Sequence, residues 1–232
     1  MGSVAFIASA QNVIDNQGAL IHTDTTAKSI FLIFSGHDVD DGFESVLDVL
    51  KSQDISASFF LTGDFVRTHQ ELVKRIHASN HFVGAHSDKH LLYCDWIKRD
   101  SLLVSTENIK KDIQDNIIAL KQLHIYPRIF MPPYEWYNQE VVKLTNDLGQ
   151  QTINFSPWTR SNADYTTPEM SNYSSSEEIR KSIFTYDKAN GLNGFHLLIH
   201  PGTSPDRTDK LYRNLDFIVS ELKNKGYQFS RF

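Results

Sequence analysis

Cysteine is almost missing from this chain, since Cys94 is the only one among 232 residues. A single cysteine cannot form a disulfide within the chain, and it cannot supply a cysteine-rich zinc cage. Nothing around Cys94 matches the arrangements that activate a thiol, so we do not expect it to act as a nucleophile. The cysteine content leaves the redox compartment open.

Long apolar runs and a surplus of basic residues are also lacking. No segment approaches the roughly 18 apolar residues that a membrane-spanning helix needs. The formal net charge is -5 and the isoelectric point is near 6.0, and Lys and Arg are not clustered along any segment. We therefore expect neither a membrane span nor a nucleic-acid partner.

The start of the chain lacks the basic region of a secretory signal peptide. Residues 1–3, Met-Gly-Ser, are typical of residues added by cloning, so a native signal or an upstream domain is not excluded. With 40% hydrophobic residues the chain can bury one core of ordinary size. We expect an N-terminal extension at 1–28 and one catalytic domain at 29–232.

Short apolar runs alternate with longer amphipathic ones, which is typical of a parallel α/β sheet. We predict about seven parallel strands with helices between them, so that both faces of the sheet are covered. This pattern alone does not choose between a barrel and a doubly wound sheet. The predicted strands are 29–35, 55–61, 81–86, 128–131, 151–156, 194–200 and 227–232.

Polar residues follow the predicted strands, and in either fold the carboxyl ends of the strands form the ligand-binding rim. These segments are GHDVDD at 36–41, HSDKH at 86–90, PPYEW at 132–136, PWTR at 157–160 and HPG at 200–202. His86 and His90 stand four positions apart on one of them. Two neutral imidazoles at such a spacing suit a divalent metal, and a third ligand from another loop would leave positions for water and substrate.

Such a metal makes hydroxide available near neutral pH and polarises a carbonyl oxygen. His200, at the end of another strand, is a candidate general acid toward a leaving group. His196 lies four residues earlier on the same face of that strand, and we interpret it as a core histidine with satisfied hydrogen bonds.

These motifs together resemble the polysaccharide deacetylases of carbohydrate esterase family four, the NodB homology domain. The resemblance runs from about Ser29 to Phe232, through SFFLTG, GAHSDKH, PPY, LLIH and GYQFSRF. His-Ser-x-x-His is its most specific motif, since it matches the metal-binding motif of that family. The resemblance implies a distorted (β/α) barrel, a metal role for His86 and His90, and hydrolysis of an acetyl group from a sugar amine or hydroxyl.

The chain departs from that family after the first predicted strand. The family carries Asp-Asp-Gly there, a catalytic base followed by a metal ligand, whereas this chain has Ser35-Gly36-His37-Asp38. Counting back from the next helix places Gly36 near the base and His37 near the metal ligand, and a shift by one residue gives the metal to Asp38. Asp38 is also a candidate base. The family's Arg that pairs with the base is Met131 here, so both partners of that ion pair are absent together.

Four further residues are candidates for substrate binding. Tyr134 follows two prolines, and the family uses the backbone amide here to hold the developing oxyanion; the alternative is a ring packed under the loop. Trp158 offers a platform for a sugar, or else plugs the core. Asp164 corresponds to the acid that tunes the catalytic histidine of the family. Arg160 pairs with Asp164 or faces an acidic substrate. We expect Trp96 to form part of a wall of the groove.

The sequence leads to three functional hypotheses. The first is a metal-dependent carbohydrate deacetylase acting on an acetylated polysaccharide or oligosaccharide, with Zn²⁺ as the expected metal and Co²⁺ or Ni²⁺ as alternatives. The second is a non-catalytic module in which the metal orients a bound sugar. The third is an amidohydrolase of small amides. For the first, we expect a secreted, periplasmic or cell-envelope location and a native fusion to another carbohydrate-active module.

Overall fold

The apolar run from Ser29 to Gly36 forms the central strand, β3, with its second half buried. The computed structural model describes residues 11–232, so the predicted cloning residues 1–3 lie outside the described part. Seven strands run parallel to one another, as predicted. They are β3 (Ser29–Gly36), β4 (Ser58–Leu61), β5 (Phe82–Ala85), β6 (Ile129–Phe130), β7 (Gln151–Thr152), β8 (Phe195–Ile199) and β9 (Gln228–Ser230).

Seven α-helices lie between and after these strands. The helical segment between the second and third parallel strands is divided into two helices, because His69 leaves the helical region with φ -122° and ψ 40°. Ser175 and Glu178 form a reciprocal capping box that fixes the start of the sixth helix. The helices are α1 (Phe43–Ser52), α2 (Gly63–Thr68), α3 (Gln70–Ala78), α4 (Thr106–Gln122), α5 (Gln139–Asp147), α6 (Ser176–Asn190) and α7 (Leu215–Asn224).

Two short strands that the sequence did not predict close the sheet into a distorted barrel. They are β1 (Val13–Ile14) and β2 (Leu20–His22), and β2 pairs antiparallel with β8. Beyond β7, the backbone N–H of Asn154 donates to Leu20 O at 2.9 Å and that of Ser156 donates to His196 O at 2.9 Å. The distorted (β/α) barrel is thus confirmed. The boundary placed at residue 29 stays a prediction, although β1 and β2 belong to the same sheet.

The barrel has an apolar interior that is separate from the core between sheet and helices. The interior is formed by Leu20, Ile33, Phe60, Met131, Ile153 and Leu198. Met131, which replaces the family's arginine, is therefore surrounded by apolar side chains. An arginine without its carboxylate partner would leave a buried, unpaired charge here, so the methionine suits its surroundings.

The register of the strands brings their carboxyl ends to one rim. Gly36 pairs with Leu61, Leu61 with Ala85, and Ala85 with Phe130. On the other side of β3, Phe34 pairs with Ile199. The segments that begin at His37, His86 and Met131 therefore start at the same level of the barrel, and His200 is level with Ser35, at the end of β3.

Candidate active site

The loops at this rim enclose a cavity of about 820 Å³. It contains most of the rim residues that the sequence singled out, whereas Trp158, Arg160 and Asp164 are not part of its lining. The lining includes His37, Asp38, His86, His90, Tyr134 and His200, and also Ser35, Trp96 and Glu135. Polar and titratable groups from five βα connections thus meet in one space, which favours an active site or binding site.

The predicted metal ligands lie together at the bottom of this cavity. The ring centroids of His86 and His90 are 5.0 Å apart, and those of His37 and His90 are 4.3 Å apart in a stacked arrangement. His37 Nε2 lies 3.2 Å from Asp38 Oδ1. Within residues 11–232, however, no three His, Cys, Asp or Glu side chains are arranged so that they could hold a metal ion. The metal site and its third ligand, His37 or Asp38, stay predictions.

The chemistry of these donors suits a divalent metal. Burial, together with the neighbouring histidines, lowers the pKa of His86 to about 4 and that of His90 to about 2. Both rings are therefore neutral at physiological pH, which is the form that ligates metals. His86 Nδ1 lies 2.8 Å from the Met131 carbonyl, and if that nitrogen carries the hydrogen, Nε2 keeps its lone pair. His37 Nδ1 is buried without a hydrogen-bond partner in the described structure.

A charged network behind the cavity holds the 86–90 loop. Arg67 donates to both carboxylate oxygens of Asp88, at 2.7 and 2.9 Å. Ser87 and His90 have φ of +66° and +53°, a region that costs free energy for residues other than glycine. The His90 N–H donates to Ser87 Oγ at 3.0 Å, and His86 N–H donates to Asn116 Oδ1 at 2.7 Å. The loop is held in a strained conformation that directs both imidazoles toward the cavity.

His200 and Asp164 form a second functional unit on the same cavity. Asp164 Oδ1 lies 2.6 Å from His200 Nδ1, and Asp164 Oδ2 accepts the His200 backbone N–H at 2.8 Å. Burial lowers the pKa of His200, but the Asp164 carboxylate and, with a smaller effect, Glu135 outweigh burial and raise the pKa to about 9. The imidazole is therefore protonated near neutral pH, as a general acid must be.

This geometry changes the role of Asp164. The sequence placed it among the substrate-binding residues, yet its side chain is 1% exposed and both of its oxygens bind His200. It is therefore a positioning residue that orients His200 and stabilises its protonated form. This agrees with the other part of the prediction, in which Asp164 tunes the histidine.

Gly36 does not face the cavity, contrary to the alignment that put it near the base. A side-chain carbon added at Gly36 would meet Phe43 at 2.8 Å and Leu61 at 2.9 Å, on the core side of β3. Ser35, one residue earlier, is nearly buried and lines the cavity together with His37, because alternate strand residues share a face. Ser35, which sequence reasoning missed, occupies the position from which a β3 side chain reaches the site.

Aromatic side chains form one wall of the cavity, as predicted for Trp96. The ring of Trp96 lies 5.5 Å from Trp136 and 5.8 Å from Tyr134, and Tyr134 lies 4.4 Å from His90. Tyr134 is 45% exposed, so its ring is not packed under the loop. Exposed aromatic faces suit the apolar faces of a sugar ring. Cys94 is buried and burial raises the pKa of its thiol to about 11, which makes it unreactive.

Trp158 and Arg160 were predicted to bind substrate beside the histidines, but they line a different cavity of about 570 Å³. The Trp158 ring stacks on Tyr186 of α6, with centroids 5.9 Å apart, and it is 60% exposed rather than a core plug. The Arg160 guanidinium donates to Asn172 O at 3.2 Å instead of pairing with Asp164. Both residues lie between β7 and α6, and neither lines the cavity that holds the histidines.

His196 agrees with its interpretation from the sequence. His196 is fully buried, with Nε2 2.8 Å from Thr23 Oγ1 and Nδ1 2.8 Å from Asn154 O, so it is a core histidine. Glu135, by contrast, was missed although it follows Pro-Pro-Tyr directly and lines the cavity. The sequence could have indicated Glu135 through its position on a rim loop, since any acidic residue there is a candidate for acid or base chemistry.

Comparisons with known proteins agree with this geometry. The family model described as polysaccharide deacetylase matches residues 22–153. The chain belongs to the polysaccharide deacetylase family. It is 28% identical over 229 residues to a peptidoglycan-N-acetylmuramic acid deacetylase of Bacillus subtilis, covering 94% of this chain and 75% of that protein. It is 29% identical over 184 residues to a peptidoglycan-N-acetylglucosamine deacetylase of Bacillus cereus, covering 79% of this chain and 76% of that protein.

A solved structure supports the fold. A carbohydrate esterase family four pseudoenzyme from Bacillus anthracis superposes with a TM-score of 0.75 at 22% identity, covering 94% of this chain and 68% of that chain. Of the helices in residues 11–232, none combines the length and apolar character that crossing a membrane requires.

Proposed function

We propose that this protein is a metal-dependent hydrolase that removes acetyl groups from a glycan. The observation that carries the proposal is the His200–Asp164 pair, with Nδ1 and Oδ1 2.6 Å apart, facing the cavity that also holds His86 and His90. A protonated imidazole and a set of neutral imidazoles on one cavity correspond to a general acid beside a metal site. Membership of the polysaccharide deacetylase family and its deacetylase relatives support the same reaction.

In this proposal, His86 and His90 hold the metal together with His37 or Asp38. A divalent metal held there, which we propose to be Zn²⁺ with Co²⁺ or Ni²⁺ as alternatives, would supply polarisation of the acetyl carbonyl and a lower pKa of water. His200 donates its Nε2 proton to the departing sugar nitrogen or oxygen, while Asp164 holds the ring. Trp96 and Tyr134 bind the sugar along the wall of the cavity, and the Tyr134 amide is the candidate oxyanion donor.

The proposed substrate is an acetylated glycan of the peptidoglycan type. Support comes from the two Bacillus relatives, both of which are peptidoglycan deacetylases. A protein acting on that polymer would work in the cell envelope or outside the cell, and a native fusion to another carbohydrate-active module remains part of the proposal. The cavity, at about 820 Å³, has room for more than one sugar ring.

The test is acetate release from peptidoglycan fragments, chitin oligomers and acetylated xylan, with metal-stripped and Zn²⁺-reloaded protein side by side. We expect release only after reloading. The substitution His86→Ala should abolish both metal binding, measured by calorimetry, and acetate release. His124→Ala, on the loop after α4, is the matched control and should change neither. Release by metal-free protein would overturn the metal-dependent mechanism.

The absence of an acidic residue on β3 favours a second candidate, a glycan-binding module without turnover. Ser35 stands where a β3 side chain reaches the cavity, and Met131 stands where the family has the arginine partner of the base. In this case the protein would bind acetylated oligosaccharides with metal present and release no acetate. Tight binding of acetylated oligosaccharides, with no acetate released from any glycan in the panel, would support this second function over the first.

A further inference from the structure

Hydrolysis of an acetyl group needs a base, because water must lose a proton as it attacks the carbonyl carbon. Four carboxylates lie on or beside the cavity, and three of them are poorly placed for this role. The Asp38 side chain is 69% exposed and contacts His37, a proposed metal ligand. Asp206 is exposed on the outer rim, and both oxygens of Asp164 bind His200. The fourth carboxylate, Glu135, is half-buried and lines the cavity beside the histidines.

The backbone at Glu135 has an unusual conformation. Tyr134 and Glu135 have φ of +59° and +53°, so two consecutive residues occupy the left-handed region that favours glycine. The Glu135 N–H donates to Pro132 O at 3.1 Å, and its carbonyl accepts from Asn154 Nδ2 at 3.1 Å. These contacts hold the turn in place against its strain. Strain of this kind persists where the surrounding structure enforces it and is concentrated at functional sites.

Glu135 and His200 both line this cavity. The Glu135 carboxylate is one of the two carboxylates that raise the pKa of the His200 imidazole, the other being Asp164. The converse holds as well: burial raises the pKa of Glu135, and His200 partly offsets this effect. A carboxyl group and an imidazole therefore line the same cavity, and the proposed chemistry needs the first as a proton acceptor and the second as a proton donor.

We propose that Glu135 is the general base of the deacetylation, a role that the β3 loop does not supply; this inference rests on the proposed function. Glu135 takes a proton from water while the water oxygen forms a bond to the acetyl carbonyl carbon. The resulting tetrahedral intermediate collapses, and the bond from that carbon to the sugar nitrogen or oxygen breaks. His200 gives its proton to the leaving atom, so that acetic acid and the free sugar amine or hydroxyl are the products.

The test compares Glu135→Gln and Glu135→Asp with the unmodified, metal-loaded protein. Glu135→Gln keeps the shape of the side chain and removes the base, so kcat should fall by roughly 10²-fold or more. Affinity for the glycan should not change, and Glu135→Asp should retain more activity than Glu135→Gln. Glu140→Gln, on α5 outside the cavity, is the matched control and should keep the parent rate.

Two results would overturn the inference while leaving the proposed function intact. One is a Glu135→Gln rate equal to that of the parent, and the other is a loss confined to glycan affinity, which would make Glu135 a binding residue.

Ser35→Asp separates the failure of the inference from the failure of the proposed function. This substitution places a carboxylate on the β3 position that faces the cavity. If the unmodified protein releases no acetate but Ser35→Asp does, the natural chain lacks any base, and both the proposed activity and the role of Glu135 are wrong. If the unmodified protein is active, the Glu135 variants alone decide the inference.

Discussion

His200 keeps a proton at a position where burial alone would remove it. Its side chain is 14% exposed, and Asp164 and Glu135 overcome the effect of burial to raise its pKa to about 9. Because the pKa in the unfolded chain is near 6.5, the protonated pair stabilises the fold fully below that pH. The stabilisation is lost as the pH rises through about 9. The same titration removes the proton of the proposed general acid, so stability and activity should decline in the same alkaline range.

Replacing Asp164 by Asn should shift this alkaline limit to lower pH. The amide keeps the shape of the side chain but not the charge, so the pKa of His200 falls and the fraction of protonated imidazole at a given pH falls with it. We expect the descending limb of kcat, measured from pH 6 to about 11, to move toward neutrality. Asp216→Asn, on α7 far from the cavity, should leave the profile unchanged. An unshifted limb in Asp164→Asn would rule out His200 as the group that titrates.

At the scale of elements, the 86–90 loop depends on groups that do not themselves reach the cavity. The side chain of Asp88, within this loop, is 5% exposed and pairs with Arg67 of α2. The pair ties the loop to the last turn of α2, and at the first turn of that helix the Gly63 N–H donates to Ser87 O at 3.0 Å. Because Ser87 and His90 have positive φ, weakening the pair should let the loop relax and move both imidazoles.

Asp88→Asn should therefore lower both stability and metal affinity. Loss of one charge-assisted hydrogen bond in a half-buried pair costs about 1.5–3 kcal/mol of unfolding free energy. Urea unfolding of the metal-free protein measures the loss of unfolding free energy. Calorimetric titration with Zn²⁺ measures the loss of metal affinity. Lys89→Ala removes an exposed ion pair to Asp64 and should cost at most about 1 kcal/mol. Equal losses of stability and metal affinity in the two variants would show that Asp88 does not hold the loop in place.

In the turn Pro133–Glu135, a substitution that relieves backbone strain should raise stability and lower activity. Glycine adopts a φ of +53° without the penalty that a side chain imposes, so Glu135→Gly should raise the unfolding free energy by up to about 1 kcal/mol. The same change removes the proposed base and should reduce acetate release. Urea unfolding and acetate assays on one preparation measure both. Gly149→Ala is the complementary control, because Gly149 has φ +72° with open space around it and should lose stability.

At the scale of the whole molecule, the fold followed from patterns that the sequence carries locally. Each buried parallel strand is an apolar run, such as SIFLIFS for β3, with an amphipathic helix after it, so seven parallel strands could be predicted. The strands β1 and β2 are short and sit in a polar segment, and their pairing with β8 and the end of β7 is set by distant parts of the chain. No local pattern signals such pairing.

The site was predictable where one motif carries it and less so where it depends on packing. His86 and His90 share one loop, and His200 ends an apolar strand, so their place on the rim follows from order along the chain. The direction of a side chain at the end of a strand does not follow from order along the chain. Ser35 rather than Gly36 faces the cavity, as the packing of Gly36 against Phe43 and Leu61 shows. Trp158 and Arg160 lie between β7 and α6 and line another cavity.

The closure of the barrel gives a test of the domain boundary. Residues Ala19, Leu20 and Ile21 are buried between β8 and the end of β7, and the Tyr137 hydroxyl donates to Asp15 Oδ2 at 2.6 Å. Burying side chains of the size of Leu and Ile contributes about 1.5–3 kcal/mol each. A chain that begins at residue 29 should therefore lose much of its stability and expose the barrel interior around Ile153 and Leu198.

We expect Leu20→Ala to lower the unfolding free energy by about 2–5 kcal/mol, through lost burial and the space left in the barrel interior. Ile14→Ala, at a position that is 53% exposed on β1, should change it by less than about 0.5 kcal/mol. Urea unfolding of both variants and of the 29–232 fragment measures how much the segment before residue 29 contributes to the unfolding free energy. If the fragment unfolds at the same urea concentration as the longer chain, residues 11–28 are an extension, and the barrel is stable without β2.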